Sequence, residues 1–269
     1  MGIDEALLDR PGDDKAISIG DLMASDPPAA SPSHPSLQPP PSPSSQSQSL
    51  SQAEPRDAAP EASQPPHAAV CDVGRRVPAD LAAISSLDEL RAAMAEYDGC
   101  ALKNTASNMI FADGNPAAQL MVIGEVPGRD EDRVGLPLVG SAGQLFDRML
   151  ASIGLSRADT YITTLIPWRP PGNRTPTDEE MALLMPWLLR HIQLVDPARI
   201  LLLGGAPAKA LLPQTGGILK LRGRWHDFDA GDGVARPLLA TLHPSYLIRS
   251  PGQKRLSYAD LLALADKLG

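Results

Sequence analysis

Three short segments of the 269-residue chain hold most of the side chains that could carry chemistry. They are residues 125–131, 168–174 and 243–249, which contain two carboxylates, an imidazole and several guanidiniums. Carboxylates and imidazole can exchange protons with a reacting molecule, and guanidiniums bind phosphate oxygens. Each side chain also has a plain structural interpretation. Glu125 could be a helix cap or an ion-pair partner, His243 a turn residue before proline, and any single arginine a solvated surface charge.

Each segment follows an apolar run that predicts a β-strand, at residues 120–123, 161–166 and 236–242. In a doubly wound sheet, the loops that follow the carboxyl ends of the strands converge on one rim, where ligands bind. The three segments therefore predict one site. A phosphate-binding loop is an alternative for Gly124 to Gly128, but the Gly-Lys-Ser/Thr ending of that motif is missing.

Helical signals alternate with these strands. Capping boxes at residues 86–89 and 177–180 predict two helix starts. The pattern adds a helix from Ser141, a buried strand within residues 199–205, a short helix at 207–212 and a closing helix at 258–268. This order predicts a three-layer α/β/α sandwich with a mostly parallel central four-stranded sheet.

Composition divides the chain into a tail, residues 1–78, and one domain, residues 79–269. The tail is rich in Pro, Ser, Gln and Ala and is predicted to be disordered, because it cannot bury enough apolar surface to offset its ordering entropy. Residues 1–80 hold 5 of the 24 basic and 12 of the 32 acidic residues, so the remainder is nearly neutral. Two tail patches, residues 3–8 and 16–24, could bind a protein partner.

Cysteine content and hydropathy restrict the class of protein further. Cys71 and Cys100 are the only cysteines, so no disulfide framework is indicated. The sequence has neither an apolar run of membrane-spanning length nor an N-terminal signal pattern. We therefore expect a cytoplasmic protein with no membrane partner.

Six motifs resemble, in order, those of the uracil-DNA glycosylase superfamily, and are most similar to its iron-sulfur branch, family 4. The resemblance covers about residues 86–269. The motifs are Gly124-Glu-Val-Pro-Gly128, Glu131-Asp132, Gly135-Leu-Pro-Leu-Val-Gly140, Arg169-Pro-Pro-Gly-Asn-Arg174, Leu221-Arg-Gly-Arg-Trp225 and His243-Pro-Ser-Tyr-Leu-Ile-Arg249.

The resemblance implies hydrolysis of the N-glycosidic bond of uracil flipped out of DNA. His243 matches the residue that donates a hydrogen bond to uracil O2. Glu125 and Glu131 match the paired acids, one of which contacts the base or its water while the other orients or activates water; the sequence does not decide which. The residues that match the base pocket are Gly124, Val126, Pro127, Gly128, Leu138 and Thr164.

The resemblance also implies a DNA-binding surface. Leu247 is placed like the residue that fills the gap left by the flipped base, and Ser245 and Arg249 like residues that hold flanking phosphates. The remaining residues assigned to DNA are Arg169, Asn173, Arg174 and Arg222. A monomer acting on uracil-containing DNA at the nucleoid is expected.

The chain departs from the family at the cluster and at the base pocket. The four cysteines that bind a [4Fe-4S] cluster in family 4 align with Tyr97, Cys100, Trp168 and Met185, so we predict no cluster and a hydrophobic core in its place. Leu138 stands where the family has a stacking Phe, and Thr164 where it has a pyrimidine-reading Asn. Both changes weaken base recognition.

Three hypotheses follow. The first is a cluster-free glycosylase for uracil or a related deaminated base, for which the changed pocket predicts a slower rate or a broader substrate range. The second is a module that binds damaged or single-stranded DNA without cleaving it, which Leu138 and Thr164 favour. The third is an unrelated α/β ligand-binding domain. The retained carboxylates and His243 favour the first hypothesis, since a pure binder has no need of a water-orienting carboxylate.

Overall fold

The computed structural model describes residues 80–214 and 216–268. The predicted tail and its two patches therefore lie outside the described residues. The strands are β1 (Asp113–Gly114), β2 (Leu120–Gly124), β3 (Thr160–Thr164), β4 (Arg199–Leu203), β5 (Trp225–Asp229) and β6 (Ala235–Thr241). The α-helices are α1 (Leu87–Glu96), α2 (Arg129–Val134), α3 (Gly140–Ala151), α4 (Asp178–Val195), α5 (Gly205–Leu211), α6 (Ile218–Leu221), α7 (Pro244–Arg249) and α8 (Lys254–Leu268).

The strands form one sheet in the order β1-β3-β2-β4-β6-β5. The four central strands are parallel, with Leu120 paired to Thr160 on one side and to Arg199 on the other. This confirms the predicted parallel core of four strands. The antiparallel edge strands β1 and β5 were not predicted, because β1 has two residues and β5 is half-exposed and rich in Asp.

Helices cover both faces of the sheet, which confirms the three-layer architecture. On one face, Met121 and Ile200 lie in a buried cluster with Trp187 of α4 and Met94 of α1. On the other face, the cluster around Val122 joins the sheet to α3 and α8, and its other buried members include Phe146, Leu150, Leu201, Leu239 and Leu261. The nearly continuous apolar strands are those expected when a parallel sheet is buried on both sides.

Both capping boxes start helices as predicted. The Glu89 N–H donates to Ser86 Oγ at 3.2 Å, and the Glu180 N–H donates to Thr177 Oγ1 at 3.1 Å. Three short helices were missed: α2 replaces a predicted acidic loop, α7 replaces a predicted loop after His243, and α6 lies where no element was predicted. The closing helix begins at Lys254, four residues before its predicted start. None of the helices in the described residues is long and apolar enough to cross a membrane.

His191 of α4 is buried beneath the sheet. Its Nε2 lies 2.8 Å from the Tyr161 hydroxyl, and its ring stacks on Phe111 with the ring centroids 4.5 Å apart. Burial, together with a smaller effect of the nearby Arg91 cation, lowers the pKa of His191 to about 3. The unfolded chain therefore binds a proton at this residue below about pH 6.5 that the folded chain does not.

We predict that His191 makes the protein less stable in acid. Because the unfolded state binds the extra proton, the free energy of unfolding falls by at most about 1.4 kcal/mol per pH unit below pH 6.5 from this residue alone. His191→Gln removes the titration, so the difference in stability between variant and wild type should shift in the variant's favour as pH falls from 7 to 4. Urea denaturation across this range measures it. A difference that is constant with pH would contradict the prediction.

Candidate functional site

The predicted site forms at the carboxyl edge of the parallel strands. Gly124 ends β2, Thr164 ends β3 beside it, and Leu138 reaches the same place from the loop before α3. A Cβ placed on Gly124 would lie 3.9 Å from Leu138 Cγ and 3.9 Å from Thr164 Cγ2. The structure therefore brings these three predicted pocket residues together.

Glu125 connects the end of β2 to the start of α5. Its Oε1 accepts a hydrogen bond of 3.0 Å from the Gly205 N–H, and its other oxygen makes none within the described residues. Gly204 has φ +101°, and a Cβ there would lie 2.2 Å from Glu125 Oε1. A glycine at position 204 is thus required for the carboxylate to approach the backbone. One oxygen of Glu125 remains for a ligand or water.

Glu131 joins two loops of the site. Its Oε2 accepts from the Gly128 N–H at 3.0 Å, and its Oε1 accepts from the Val139 N–H at 3.1 Å. Both oxygens of Glu131 thus accept hydrogen bonds from backbone N–H groups. One of these donors, the Gly128 N–H, lies at the start of α2, where the helix dipole favours a carboxylate. This geometry suits a side chain that positions Gly128 and Val139.

His243 caps α7 through its imidazole. The Ser245 N–H donates to His243 Nδ1 at 3.2 Å, and Ser245 Oγ lies 2.7 Å from the same nitrogen. An amide N–H can only donate, so Nδ1 is the acceptor and the proton of the neutral ring sits on Nε2. Burial lowers the pKa of His243, against the opposing effects of Glu125 and Glu131, and Arg249 lowers it further. The ring is therefore a neutral hydrogen-bond donor, and Ser245 orients it.

Leu138 and Thr164 offer little polar recognition in the pocket. Leu138 is 4% exposed and packs in the cluster around Val122 and Phe146. The Thr164 hydroxyl donates to the Ile166 carbonyl at 2.7 Å, so its hydrogen is already used. The edge of a bound base would therefore meet at most an acceptor lone pair at Thr164.

Arg222, which was predicted to bind DNA, is engaged by groups of the protein itself. Its guanidinium pairs with buried Asp260, with Nε 2.9 Å from Oδ2 and a second contact from Nη2 to Oδ1, and it donates to the Leu256 carbonyl at 2.5 Å. The Arg222 side chain is only 15% exposed. A buried carboxylate requires a charged partner, and Arg222 serves that purpose for Asp260.

The second predicted DNA segment is buried at Trp168 and becomes exposed from Pro171 to Arg174. Arg169 Nε donates to Asn173 Oδ1 at 2.7 Å, and Arg174 forms a two-point ion pair with Glu180 at 2.8 and 2.6 Å. Arg169 also lies 3.8 Å from Asp132, whose Oδ1 accepts from the Ser107 N–H at 2.7 Å. Asp132 therefore links the Arg169 loop to the backbone at Ser107. The sequence indicated it only as part of the Glu131-Asp132 motif. DNA contact by this loop stays a prediction.

Leu247 does not project from the surface as the wedge prediction requires. It is 1% exposed and packs with Leu145 and Leu242. Pro244 and Leu247, three residues apart, lie on the buried face of α7. The next residue, Ile248, is 44% exposed and stands beside exposed Arg249. The structure thus corrects the assignment at Leu247 and places an apolar side chain at the surface one residue later.

Three of the four positions aligned with cluster cysteines form a packed core. Tyr97, Cys100 and Trp168 are buried in one cluster, and the Tyr97 and Trp187 rings lie 5.1 Å apart. Met185 is half-buried at its margin, whereas its neighbour Leu184 on α4 is fully buried. No group of three or more His, Cys, Asp or Glu in residues 80–214 and 216–268 could hold a metal ion. Two cysteines in the whole sequence cannot supply four thiolates, so the residues do not fit a [4Fe-4S] cluster.

A parallel sheet between two helical layers, with a carboxylate and a neutral imidazole at its carboxyl edge, defines an α/β protein that binds its ligand at the ends of its strands. The chain belongs to the uracil DNA glycosylase superfamily, whose family model matches residues 111–263.

Curated relatives support the same assignment. The chain is 34% identical to the type-4 uracil-DNA glycosylase of Pyrobaculum aerophilum, over 65% of this chain and 91% of the relative. It is 33% identical to that of Archaeoglobus fulgidus, over 69% and 95%, and 37% identical to that of Thermotoga maritima, over 56% and 77%. These matches confirm the resemblance to family 4 and support a DNA glycosylase function.

We predict that truncation of Leu247 changes the stability of the protein, whereas truncation of Ile248 changes the rate of base removal. Leu247→Ala should lower the free energy of unfolding by about 2–5 kcal/mol, because it leaves a cavity. Ile248→Ala should keep wild-type stability but slow base removal from double-stranded DNA more than from single-stranded DNA, because only a duplex must be opened. Urea denaturation and single-turnover rates on both substrates measure these effects. Leu262→Ala, at a 48% exposed position on α8, is the control. Equal slowing on both substrates by Ile248→Ala would contradict the prediction.

Proposed function

We propose that the protein is a DNA glycosylase that hydrolyses the N-glycosidic bond of uracil, or of a related deaminated base, flipped out of DNA. The observation that carries the proposal is His243. Its neutral ring is held by Ser245 with the Nε2–H as the remaining donor, at the carboxyl edge of the sheet and within electrostatic range of Glu125 and Glu131. Membership of the uracil DNA glycosylase superfamily supports this substrate class.

In the proposed reaction, the bond between the sugar C1′ and the base nitrogen breaks, and its electron pair leaves with the base. The His243 Nε2–H donates a hydrogen bond to the base oxygen on which the negative charge develops. Water attacks C1′ through its oxygen, and Glu125 orients it and accepts its proton. Glu125 suits this task because one of its oxygens makes no hydrogen bond within the described residues, whereas Glu131 already accepts two. Glu131 then acts by holding Gly128 and Val139 in place.

Base selectivity in this site should be broad. Leu138 gives an apolar wall without the aromatic stacking that is worth about 1–3 kcal/mol per base. Thr164 cannot read both a donor and an acceptor on the pyrimidine edge, since its hydroxyl hydrogen goes to Ile166. A site that tests the base edge weakly accepts hypoxanthine or xanthine more readily than one that tests it with an amide.

The enzyme works without an iron-sulfur cluster. Tyr97, Trp168 and Trp187 occupy the region where the resemblance implies the cluster, and bulky apolar packing takes over its structural task. The proposed chemistry needs no redox centre, because it is a hydrolysis: the base leaves with the electron pair of the broken bond, water supplies the pair of the new C1′–O bond, and Glu125 accepts the proton of that water.

We also propose four further properties of the protein. They are the division into a tail of residues 1–78 and a glycosylase-like domain of residues 79–269, a monomeric state, action at the nucleoid, and a protein partner for the tail. Arg169, Asn173, Arg174 and Arg249 are proposed to contact the DNA backbone.

A second candidate is a module that binds damaged DNA without cleaving it. The occupied hydroxyl of Thr164 and the apolar Leu138 favour it, because they weaken the hold on the leaving base. The first candidate retains the better support, since a binder has no need of a neutral histidine whose Nε2–H is left as a donor beside two carboxylates.

We predict that single-turnover cleavage of uracil-containing DNA depends on His243 and Glu125. His243→Ala should lower the rate about 100- to 1,000-fold, because a donor to the developing anion is lost. Glu125→Gln should also lower it strongly, because the amide cannot take a proton from water. Labelled single-stranded and G-opposed uracil oligonucleotides, followed by alkali, measure the rate.

His226→Ala, on the edge strand β5, and Glu179→Gln, exposed on α4, are matched controls that should retain the wild-type rate. If the wild type binds this DNA but cleaves neither uracil, hypoxanthine nor xanthine, the binding module is supported and the glycosylase proposal is overturned.

A further inference from the structure

Arg157 lies behind the loop that carries Leu138. It begins the 3₁₀ turn Arg157–Asp159 that leads into β3. Its guanidinium donates to the Pro137 carbonyl at 3.3 Å and, in a shorter contact, to the Leu138 carbonyl. Two carboxylates fix the guanidinium itself, Asp113 at 2.6 Å and Asp147 at 2.9 Å. One side chain therefore ties β1, α3 and the start of β3 to the pocket loop.

The loop needs such support because its backbone is strained. Leu138 has φ +50°, a left-handed conformation that is uncommon for residues other than glycine, asparagine and aspartate. Conformations of this kind cost of order 1–3 kcal/mol and persist only where the surroundings enforce them. A Cβ on Gly143 would lie 1.9 Å from the Leu138 carbonyl oxygen, so α3 also makes room for this carbonyl.

Opposite charges hold the loop. Arg157 donates hydrogen bonds to the carbonyls of Pro137 and Leu138, and Glu131 accepts a hydrogen bond from the N–H of Val139. The polar groups of three consecutive residues are thus satisfied by ionised side chains, whose hydrogen bonds are roughly twice as strong as neutral ones. This arrangement fixes the place of the Leu138 side chain opposite Gly124 and Thr164.

We propose that Arg157 is a positioning residue that holds Leu138 against the flipped base and thereby sets both the rate and the base selectivity of the site. The inference depends on the proposed function for the identity of the base. Its structural part, that Arg157 fixes residues 137–140, does not. Since Leu138 provides an apolar wall without aromatic stacking, a small shift of this wall changes how the base is held.

The test compares Arg157→Ala and Arg157→Lys with Arg190→Ala. Arg190 is a matched control because it also donates to a backbone carbonyl, that of Ile84, at 3.0 and 2.5 Å, in a segment outside the pocket loop. The rate of hydrogen exchange at the Val139 and Gly140 amides measures directly how firmly the loop is held. Single-turnover rates on uracil, hypoxanthine and thymine oligonucleotides at saturating enzyme report the consequence, with and without added guanidinium ion.

We expect faster exchange at residues 139–140 and a rate about 10- to 100-fold lower in Arg157→Ala. Guanidinium ion should restore part of the rate of Arg157→Ala, and the ratio of uracil to thymine cleavage should change. The rate of Arg157→Lys should lie between those of the wild type and Arg157→Ala. Arg190→Ala should lose stability without these effects. Unchanged exchange at residues 139–140 in Arg157→Ala, or a rate loss that Arg190→Ala shares, overturns the inference. If the wild type cleaves no base, the proposed function fails, and the exchange measurement still decides whether Arg157 holds the loop.

Discussion

The Glu131 carboxylate is the interaction on which the rest of the site depends. It accepts the N–H of Gly128 at 3.0 Å and the N–H of Val139 at 3.1 Å, and so fixes the distance between the turn after β2 and the loop before α3. Its position in the first turn of α2 adds the favourable field of a helix start. Without it, two backbone donors in a partly buried place would lack partners, and the loop that carries Leu138 would lose one of the two charged side chains that hold it.

The same principle recurs around the pocket. Glu125 is fixed by the Gly205 N–H at the start of α5, and His243 by the Ser245 N–H at the start of α7. In each case a functional side chain accepts from backbone that the sheet has already placed. Such hydrogen bonds keep the side chains in place before a ligand arrives, which lowers the cost of arranging them during a reaction. The tautomer of His243 is a direct consequence, because its Nδ1 has to accept.

The sequence predicts the parts of this arrangement that depend on local pattern. Apolar runs that end in polar loops predicted the parallel core and placed Glu125 and His243 at the same edge of it, and capping boxes predicted the starts of α1 and α4. Long-range partners are not encoded in a local pattern. Arg222 and Asp260 are 38 residues apart, and nothing near Arg222 announces the pairing. The burial of Leu247 was not predicted because residues 244–249 were predicted to form a loop. A loop has no regular period from which to tell which side chains point inward, whereas the helix α7 does. Arg157 was missed because its partners, two carboxylates and two backbone carbonyls, lie between 10 and 44 residues away in the sequence.

We propose that this fold carries out glycosylase chemistry with aromatic and aliphatic packing in place of an iron-sulfur cluster. Two cysteines in 269 residues and a buried core around Tyr97, Trp168 and Trp187 support it. The most direct test is the iron content of anaerobically purified protein, measured on the same sample that is assayed for uracil release. The account predicts full single-turnover activity with far less than one iron per chain. Iron near four per chain, lost together with activity on chelation, would contradict it.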